Sequence, residues 1–317
     1  MEYTAVIRTL GMAGDKFQKE LDSLINQTIK PKEIIVYIAE GYAIPKETCG
    51  LERYVYVKKG MVAQRALNYK EVTTEWMLFL DDDVYLPPDG VEKLFNAIDT
   101  HKADVVAPNT FGNYEADKRT KVRNLLMRKS VPFKSDKWCY KVLKSGGFAY
   151  NSKPVFDFYW SESNAGPCSL WRKSDFLNIH FEDDIEWLDS SFYALPEDQV
   201  MFYKGYLNGL KIGTVFNSGI IHLDASTTVD AAANISEARN KILRILHSEV
   251  RNQILFCKKY VIGRNTGAKR LLARLSLFYS LCFRVIFASR YMISGDKAML
   301  QTILAAINDA KNYNKYV

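Results

Sequence analysis

The stretch that decides the fold is Trp76 to Val84 (WMLFLDDDV), an apolar run that ends in three aspartates. A short apolar run bounded by polar residues is typical of a strand that is covered on both faces of a sheet. Three neighbouring carboxylates repel one another, so a strand end tolerates them best when a cation or a ligand shares their charge. The alternative is a solvated acidic loop ahead of a helix near Pro88, where carboxylates are favoured without any metal.

Strands and helices alternate around this stretch. Strand patterns lie at 3–8, 33–39, 53–58 and 104–108, and helical patterns lie at 15–28, 61–72 and about 88–100. This alternation predicts βαβ units and therefore an α/β fold, with a mostly parallel sheet and helices on both faces. A helix at about 197–208 and strands near 211–216 and 219–223 continue it. Functional residues are expected directly after strands, because ligands of such sheets bind beyond the strands' carboxyl ends.

The composition is that of a globular protein, with 317 residues, 48% of them hydrophobic and 25% charged, which excludes a disordered chain. The net charge of +7 suits phosphates, anionic lipid or nucleic acid, but no nucleic-acid-binding signature is present and no such partner is expected. The five cysteines form no CxxC pair, which disfavours zinc and disulfides and fits a reducing cytoplasm. No basic and apolar leader follows Met1, so no signal peptide is expected.

Positive charge is concentrated in two segments. Residues 115–153 are rich in Lys and Arg, and we expect an irregular, partly mobile basic insertion within a domain that spans 1–233. Residues 234–317 are predicted to form a helical, basic C-terminal extension. Its apolar part is interrupted by Arg274 and Arg284 and is short for a spanning helix. We favour a helix at the membrane interface within 264–293, with both arginines reaching lipid head groups, and packing on the first domain is the alternative.

The LDDDV motif, followed by a proline and a helix, resembles family 2 glycosyltransferases of the GT-A fold. Further resemblances, in the family's order, are AVIRTLG (5–11), KG (59–60) with QRALN (64–68), LPEDQ (195–199), GIIH (219–222) and RN (251–252). Single motifs are weak, but several in the expected order are fairly specific. The resemblance covers roughly residues 3–255. It implies a GT-A nucleotide-binding sheet and an inverting transfer of a sugar from a nucleotide-diphosphate sugar to an acceptor hydroxyl.

The resemblance places donor contacts at strand ends. Asp83 of the DXD motif binds Mn²⁺ or Mg²⁺, and His222 is a second metal ligand, for which a structural role is the alternative. The other donor contacts are Thr9, Glu40, Gln64, Arg65, Asp81 and Asp82. Two roles are open for Arg65: it binds the diphosphate, or it forms a salt bridge at the protein surface. The family often has Asp-Asp-Gly-Ser where this chain has Ala-Glu-Gly-Tyr at 39–42, which leaves UDP, GDP and dTDP open.

Asp198 is the candidate general base, because an acceptor hydroxyl attacks only when a positioned carboxylate takes its proton. The alternative is that acids simply favour the first turn of a helix. Weaker acceptor contacts are Gly166, Trp160, Trp187 and Glu197. The family suggests a glycan or lipid-linked acceptor of surface polysaccharide synthesis, handled in the cytoplasm or peripherally at the inner face of the membrane. The C-terminal helices also offer surfaces for a homo-oligomer.

Two other functions fit parts of the sequence. A phosphatase or phosphotransferase resembling the haloacid dehalogenases would use Asp81 and Asp83, with Asp183 and Asp184 as a late acidic pair. That family carries its motif on the first strand, whereas three predicted strands precede it here. A non-enzymatic basic membrane-binding protein explains the positive segments but not the placed carboxylates.

Overall fold

A computed structural model describes residues 1–110, 117–223, 235–293 and 295–313. The strands are β1 (Tyr3–Thr9), β2 (Glu33–Ala39), β3 (Glu52–Val57), β4 (Trp76–Asp81), β5 (Val84–Tyr85), β6 (Val105–Pro108), β7 (Ser130–Phe133), β8 (Trp138–Val142), β9 (Phe148–Asn151), β10 (Phe158–Ser161), β11 (Cys168–Arg172), β12 (Ile212–Val215) and β13 (Ile221–His222). The helices are α1 (Asp15–Ile25), α2 (Gly90–His101), α3 (Lys118–Leu126), α4 (Lys173–Asn178), α5 (Ile185–Asp189), α6 (Glu197–Leu207), α7 (Ile235–Phe256), α8 (Gly267–Ile293) and α9 (Ala298–Asn312).

The strands β3, β2, β1 and β4 lie side by side and run parallel. Ala5 of β1 is opposite Ile34 on β2 and Leu78 on β4. Alternate residues of β1 enter different cores, because Ala5 and Ile7 pack with α1 and α2 whereas Val6 packs with α6 and α7. Helices therefore cover both faces, which explains the continuous apolar runs of these strands.

Beyond β4 the sheet is mixed. β11 lies between β4 and β6 and is antiparallel to both, and the order continues through β12, β10, β8 and β9 to β7. Parallel pairs still outnumber antiparallel ones across the eleven strands. The predicted α/β class, with a mostly parallel sheet and a helical C-terminal region, is confirmed.

The expectation of an irregular insertion at 115–153 is wrong for the residues that the structure describes. α3, β7, β8 and β9 form there, and the strands extend the main sheet. Lysines are tolerated because this is the edge of the sheet, where unpaired strand groups are commonly protected by charge. Mobility of this segment stays a prediction, and residues 111–116 lie outside the described part of the chain.

The predicted helix at 61–72 is also wrong. The segment consists of turns, and Tyr69 adopts a left-handed conformation with φ 48°. Its first turn is held from outside the segment, since the Asp189 carboxylate accepts hydrogen bonds from the backbone N–H groups of Val62 and Ala63 at 3.0 and 2.9 Å. A tertiary contact thus overrides a local helical pattern.

The C-terminal helices pack on the preceding part of the chain. Val250 and Ile254 of α7 belong to the same buried cluster as Trp187 and Phe202. The described C-terminal helices therefore share a core with the part of the chain before them. The predicted boundary at 233/234 falls outside the described residues. Among those residues one helix is long and apolar enough to cross a membrane, at Gly267–Met292, and only 28% of its apolar window is buried.

Candidate active site at the carboxyl edge of the sheet

The three aspartates occupy the end of the central strand β4 and the turn into β5. The strand pair β5 and β13 places His222 opposite Val84, next to the third aspartate. Nε2 of His222 lies 3.0 Å from Oδ1 of Asp83, and Asp83 is 6% exposed. The structure therefore brings together the two residues that the sequence predicts as metal ligands, although they are far apart along the chain.

Two arginines surround the first aspartate. Nε of Arg8 lies 2.5 Å from Oδ1 of Asp81, and Nη2 of Arg65 lies 2.9 Å from the same oxygen. Burial raises the pKa of Asp81, but the charges of Arg8 and Arg65 outweigh it, so the pKa is lowered overall. Asp81 is therefore ionised and already neutralised by protein groups.

Arg65 joins the end of β4 to the start of α6. Its Nη1 donates to Oδ1 of Asp198, while its Nη2 also donates to the carbonyl oxygen of Gly166 at 3.0 Å. The backbone N–H of Gly166 in turn donates to the other Asp198 oxygen at 3.1 Å. Arg65 is 2% exposed, so a single buried guanidinium sets the positions of Asp81 and Asp198.

Glycine is required at position 166. A Cβ atom there would overlap the carboxylate of Asp198 and lie 2.9 Å from Nη1 of Arg65. Gly166 is thus in contact with the base candidate and allows its close approach, and its contact with an acceptor stays a prediction.

Glu197, the neighbour of Asp198, is 3% exposed and faces Arg8, whose Nη2 lies 3.3 Å from its Oε1. Burial, together with the charge of Asp198, raises the pKa of Glu197 to about 7 even though Arg8 opposes the shift. Glu197 is therefore inside the carboxylate cluster and not on an open acceptor surface.

The second aspartate lies against the end of β1. The Thr9 hydroxyl donates to Oδ2 of Asp82 at 2.5 Å and accepts from the backbone N–H of Gly11 at 2.7 Å. Burial, followed by the charges of Asp81 and Asp83, raises the pKa of Asp82 to about 6 despite the bond from Thr9. Thr9 and Asp82 thus form one contact at the predicted donor side.

Gln64 and Arg65 differ from their predicted role as donor contacts. The Gln64 amide is buried and donates to the carbonyl oxygens of Thr9 and Tyr37 at 3.0 and 3.4 Å. Arg65 is bound to Asp81, Asp198 and the carbonyl oxygen of Gly166. Both side chains position other groups of the site. The ion pairs of Arg65 are buried, so the surface salt bridge is wrong, and its contact with a diphosphate stays a prediction. Glu40 follows β2 and is exposed, away from these contacts.

The tryptophans predicted as acceptor contacts do not form an open platform. Trp187 is fully buried, and its Nε1 donates to Oδ1 of Asp184 at 2.6 Å, so that prediction is wrong. Trp160 is half-buried in β10 and packs edge-on against Phe158 at 5.0 Å between ring centroids. Large aromatic residues enter cores more often than they line sites.

Three residues of the site were not foreseen. Arg8 points from β1 into the acidic cluster, and Asp189 holds the turn that carries Gln64 and Arg65. Glu20 of α1 lies fully buried under the aspartates, and one of its oxygens accepts the backbone N–H of Val84 at 3.0 Å. Burial raises the pKa of Glu20 well above its usual range, which favours its neutral form. The polar position of Arg8 within an otherwise apolar strand was the one signal available in the sequence.

The residues at the strand end suit a divalent cation in part. Two ligands at about 2.1 Å from one ion and at a right angle to each other are about 3.0 Å apart, as the Asp83 and His222 atoms are. Within the described residues no group of three His, Cys, Asp or Glu side chains is arranged to hold a metal. This fits an ion that takes its other ligands from phosphate oxygens and water, as Mg²⁺ commonly does.

Comparison with known proteins gives a family match. The model described as glycosyl transferase family 2 matches residues 13–160, nearly half of the chain. Curated protein sequences gave no match.

Solved structures of S. aureus TarS are similar at low identity. The fragment 1–349 has 12% identity and a TM-score of 0.47, covering 100% of this chain and 93% of that one. The same fragment in complex with UDP-GlcNAc has 13% identity and a TM-score of 0.47, covering 100% of this chain and 93% of that one. A further TarS structure has 14% identity and a TM-score of 0.46, covering 96% of this chain and 55% of that one. Similarity of this size supports no conclusion about what this chain binds.

The family match and the site agree with each other. The matched range includes β2, the turn at Arg65 and the three aspartates, and the sheet has the form expected of a GT-A fold. A dehalogenase-like nucleophile does not fit, because Asp81 is held by two arginines on a strand that three others precede. Residues 13–160 match glycosyl transferase family 2, and the geometry of the site agrees with a glycosyltransferase.

Proposed function

We propose that the enzyme transfers a sugar from a nucleotide-diphosphate sugar to an acceptor hydroxyl with inversion, and that Asp198 is the general base. One observation carries the proposal: the buried Arg65 binds both Asp81, beside the predicted donor contacts, and Asp198. A glycosyl transfer needs a leaving diphosphate and an activated hydroxyl on opposite faces of one sugar. A guanidinium that fixes both carboxylates keeps the two half-sites at a constant distance.

Asp198 supports the proposed chemistry by its surroundings. Arg65 and the Gly166 N–H fix both of its oxygens, and its side chain is still 24% exposed. A carboxylate that is oriented but accessible can take the proton of an acceptor hydroxyl as the hydroxyl attacks the anomeric carbon. The bond to the diphosphate breaks as the new glycosidic bond forms, so one displacement inverts the anomeric carbon.

Asp83 and His222 are the proposed ligands of a divalent cation. Bound there, the cation would neutralise negative charge on the diphosphate as it leaves. Because the two side chains contact each other directly, we expect His222→Ala to weaken Mn²⁺ binding by ten-fold or more. His180→Ala, at an exposed histidine that pairs with Glu182, is the control. Unchanged Mn²⁺ affinity in His222→Ala would count against this site.

The experiment for the base is Asp198→Asn. This change keeps the shape of the side chain but removes its ability to accept a proton at neutral pH. We expect turnover of the sugar donor to fall by about 10²- to 10⁴-fold while nucleotide binding is retained. Asp99→Asn, at an exposed position of α2, is the matched control. Full activity in Asp198→Asn would contradict the proposed role.

We also propose that α8 attaches the enzyme to the inner face of a membrane. Its buried stripe is mostly small or polar, with Leu277 as the one large apolar member beside Ala273, Ser280 and Arg284. Phe278 and Leu275, in contrast, are 67% and 54% exposed. A soluble helix has the opposite arrangement, with its large apolar residues inside. Lys and Arg residues at 264–274 would face the phosphates of anionic lipid beside this apolar surface.

One detail of the membrane prediction is wrong. Arg284 is 2% exposed and binds Glu249 at 2.9 Å and Gln253 at 2.5 Å, so it ties α8 to α7 and does not reach lipid head groups. Arg274 is exposed, and its contact with lipid head groups stays a prediction.

Vesicle flotation tests the membrane proposal. Phe278→Glu should abolish binding to vesicles that contain anionic lipid, because it places a charge in the apolar surface. Leu304→Glu, at an exposed residue of α9, should leave binding unchanged. Wild-type flotation of Phe278→Glu would contradict the proposal. A dimer in lipid-free solution that Phe278→Glu dissociates would instead assign this face to the predicted homo-oligomer.

A further inference from the structure

A cavity of about 940 Å³ opens beside the base candidate. Its walls are α3, the strands β7 to β9 and the loop before β11, which contributes Asn164 and Ala165. Ala165 directly precedes Gly166, and Gln199, another wall residue, directly follows Asp198. The cavity is therefore lined by the immediate chain neighbours of Gly166 and of Asp198, the carboxylate that is proposed to take the acceptor's proton.

The charge of the cavity is one-sided. Lys121, Arg123, Lys129 and Lys153 line it, and none of its lining residues is Asp or Glu. Lys129 is already bound by Glu249 at 2.6 Å. In the described part of the chain Lys121 and Lys153 form no ion pair. Several cations around one recess attract an anion more strongly than the same cations spread over a surface.

Lys141, a basic residue of the segment 115–153 that does not line the cavity, has its charge partners within the protein. It lies 3.9 Å from Glu162 and 4.2 Å from the ring centre of Trp138. Four cations of the same segment, in contrast, line one recess that can hold a ligand.

The remaining walls suit a sugar. The rings of Tyr140, Phe148 and Tyr150 line the cavity, and flat apolar rings commonly pack against the faces of carbohydrate rings. Asparagine and serine side chains between them supply hydrogen-bonding groups. The volume is within the range of pockets that enclose a small ligand.

We propose that this cavity is the acceptor site and that it selects an acceptor that carries a negative charge, as a phosphate or a carboxylate, close to the hydroxyl that receives the sugar. This inference rests on the proposed function, since it takes Asp198 as the base. It also corrects the predicted acceptor contacts, because Trp160, Trp187 and Glu197 are not among the lining residues. The basic segment 115–153 thereby gains a specific role as a binding wall.

Titration calorimetry with simple probes tests the inference. Glucose 6-phosphate, glucuronate and glucose are each titrated into the full chain that is saturated with nucleoside diphosphate and Mn²⁺, so that the donor side is filled. We expect saturable binding of at least one anionic probe and at least ten-fold weaker binding of glucose. The preferred probe then distinguishes a phosphate-bearing acceptor from a carboxylate-bearing one.

The variants are Lys153→Glu, at the cavity, and Lys134→Glu, at an exposed lysine of the same extension that does not line it. Lys153→Glu should weaken binding of the anionic probe at least ten-fold, and Lys134→Glu should leave that binding unchanged. The inference is overturned if neither anionic probe binds, if glucose binds equally well, or if the two variants behave alike. If the proposed function itself is wrong, the full chain does not bind nucleoside diphosphate in the first step, before any probe is added.

Discussion

Replacing Gly166 with alanine tests how the base candidate is held. The new Cβ atom would overlap the Asp198 carboxylate and lie 2.9 Å from Nη1 of Arg65. Since non-bonded atoms are comfortable only at about 3.5 Å, the carboxylate has to move by about 1 Å. A displacement of that size is enough to slow catalysis about 100-fold. The overpacking also costs about 1–3 kcal/mol of folding free energy, which leaves the protein folded.

The assay for Gly166→Ala measures release of nucleoside diphosphate from the sugar donor, beside calorimetric nucleotide binding and urea unfolding. We expect the rate to fall about 100-fold with nucleotide affinity unchanged. Gly205→Ala adds the same methyl group to α6, but it meets only side-chain carbons, of Trp171 at 3.2 Å and Leu210 at 3.4 Å, so its rate should stay at the wild-type value. Wild-type turnover in Gly166→Ala would refute the reasoning.

Three further predictions concern the supports of the site and of α8. Asp189→Ala removes two hydrogen bonds to a charged acceptor and should lower the free energy of unfolding by about 3 kcal/mol in urea titrations, while weakening nucleotide binding. Arg8→Met leaves the buried Glu197 without its paired cation and Asp81 with Arg65 alone, and it should cost about 3–5 kcal/mol, whereas Arg8→Lys should recover part of that loss in the same titrations. Burial raises the pKa of Glu249, but Arg284 and Lys129 outweigh it and lower the pKa to about 2. The pKa of Glu249 in the folded protein lies below the unfolded value of about 4.3. The contribution of the ionised carboxylate to the free energy of unfolding is therefore complete above about pH 5 and is lost as the pH falls towards about 2. Glu249→Gln should therefore be up to about 3 kcal/mol less stable than wild type at pH 7, and the difference should shrink at pH 3; a constant difference would contradict the assignment.

The sequence was sufficient to predict those strands and helices that have a local pattern of apolar residues. Continuous apolar strands and the helices between them predicted β1, β2 and β4 because burial on both faces leaves a direct pattern. The antiparallel β11 could not be placed, since its position between β4 and β6 depends on contacts far along the chain. For the same reason the segment 61–72 was misread, because Asp189 determines its conformation.

The site was predictable as residue types but not as contacts. The aspartates, His222 and Asp198 were found from strand-end placement and family resemblance, and the structure puts them along one edge. That Arg65 binds both Asp81 and Asp198 depends on contacts between segments that are distant in the sequence. The cavity that we propose for the acceptor was not predicted, because its walls come from a segment whose basic composition obscured its strands.

The most direct test of the account is calorimetric titration of UDP, GDP and dTDP, each with and without Mn²⁺, into wild type and Asp83→Ala. The account predicts that one nucleotide binds in a metal-dependent way and that Asp83→Ala abolishes this binding while the protein remains folded. Absence of nucleotide binding to the wild type under every condition, or equal binding to Asp83→Ala, would contradict the proposed donor site.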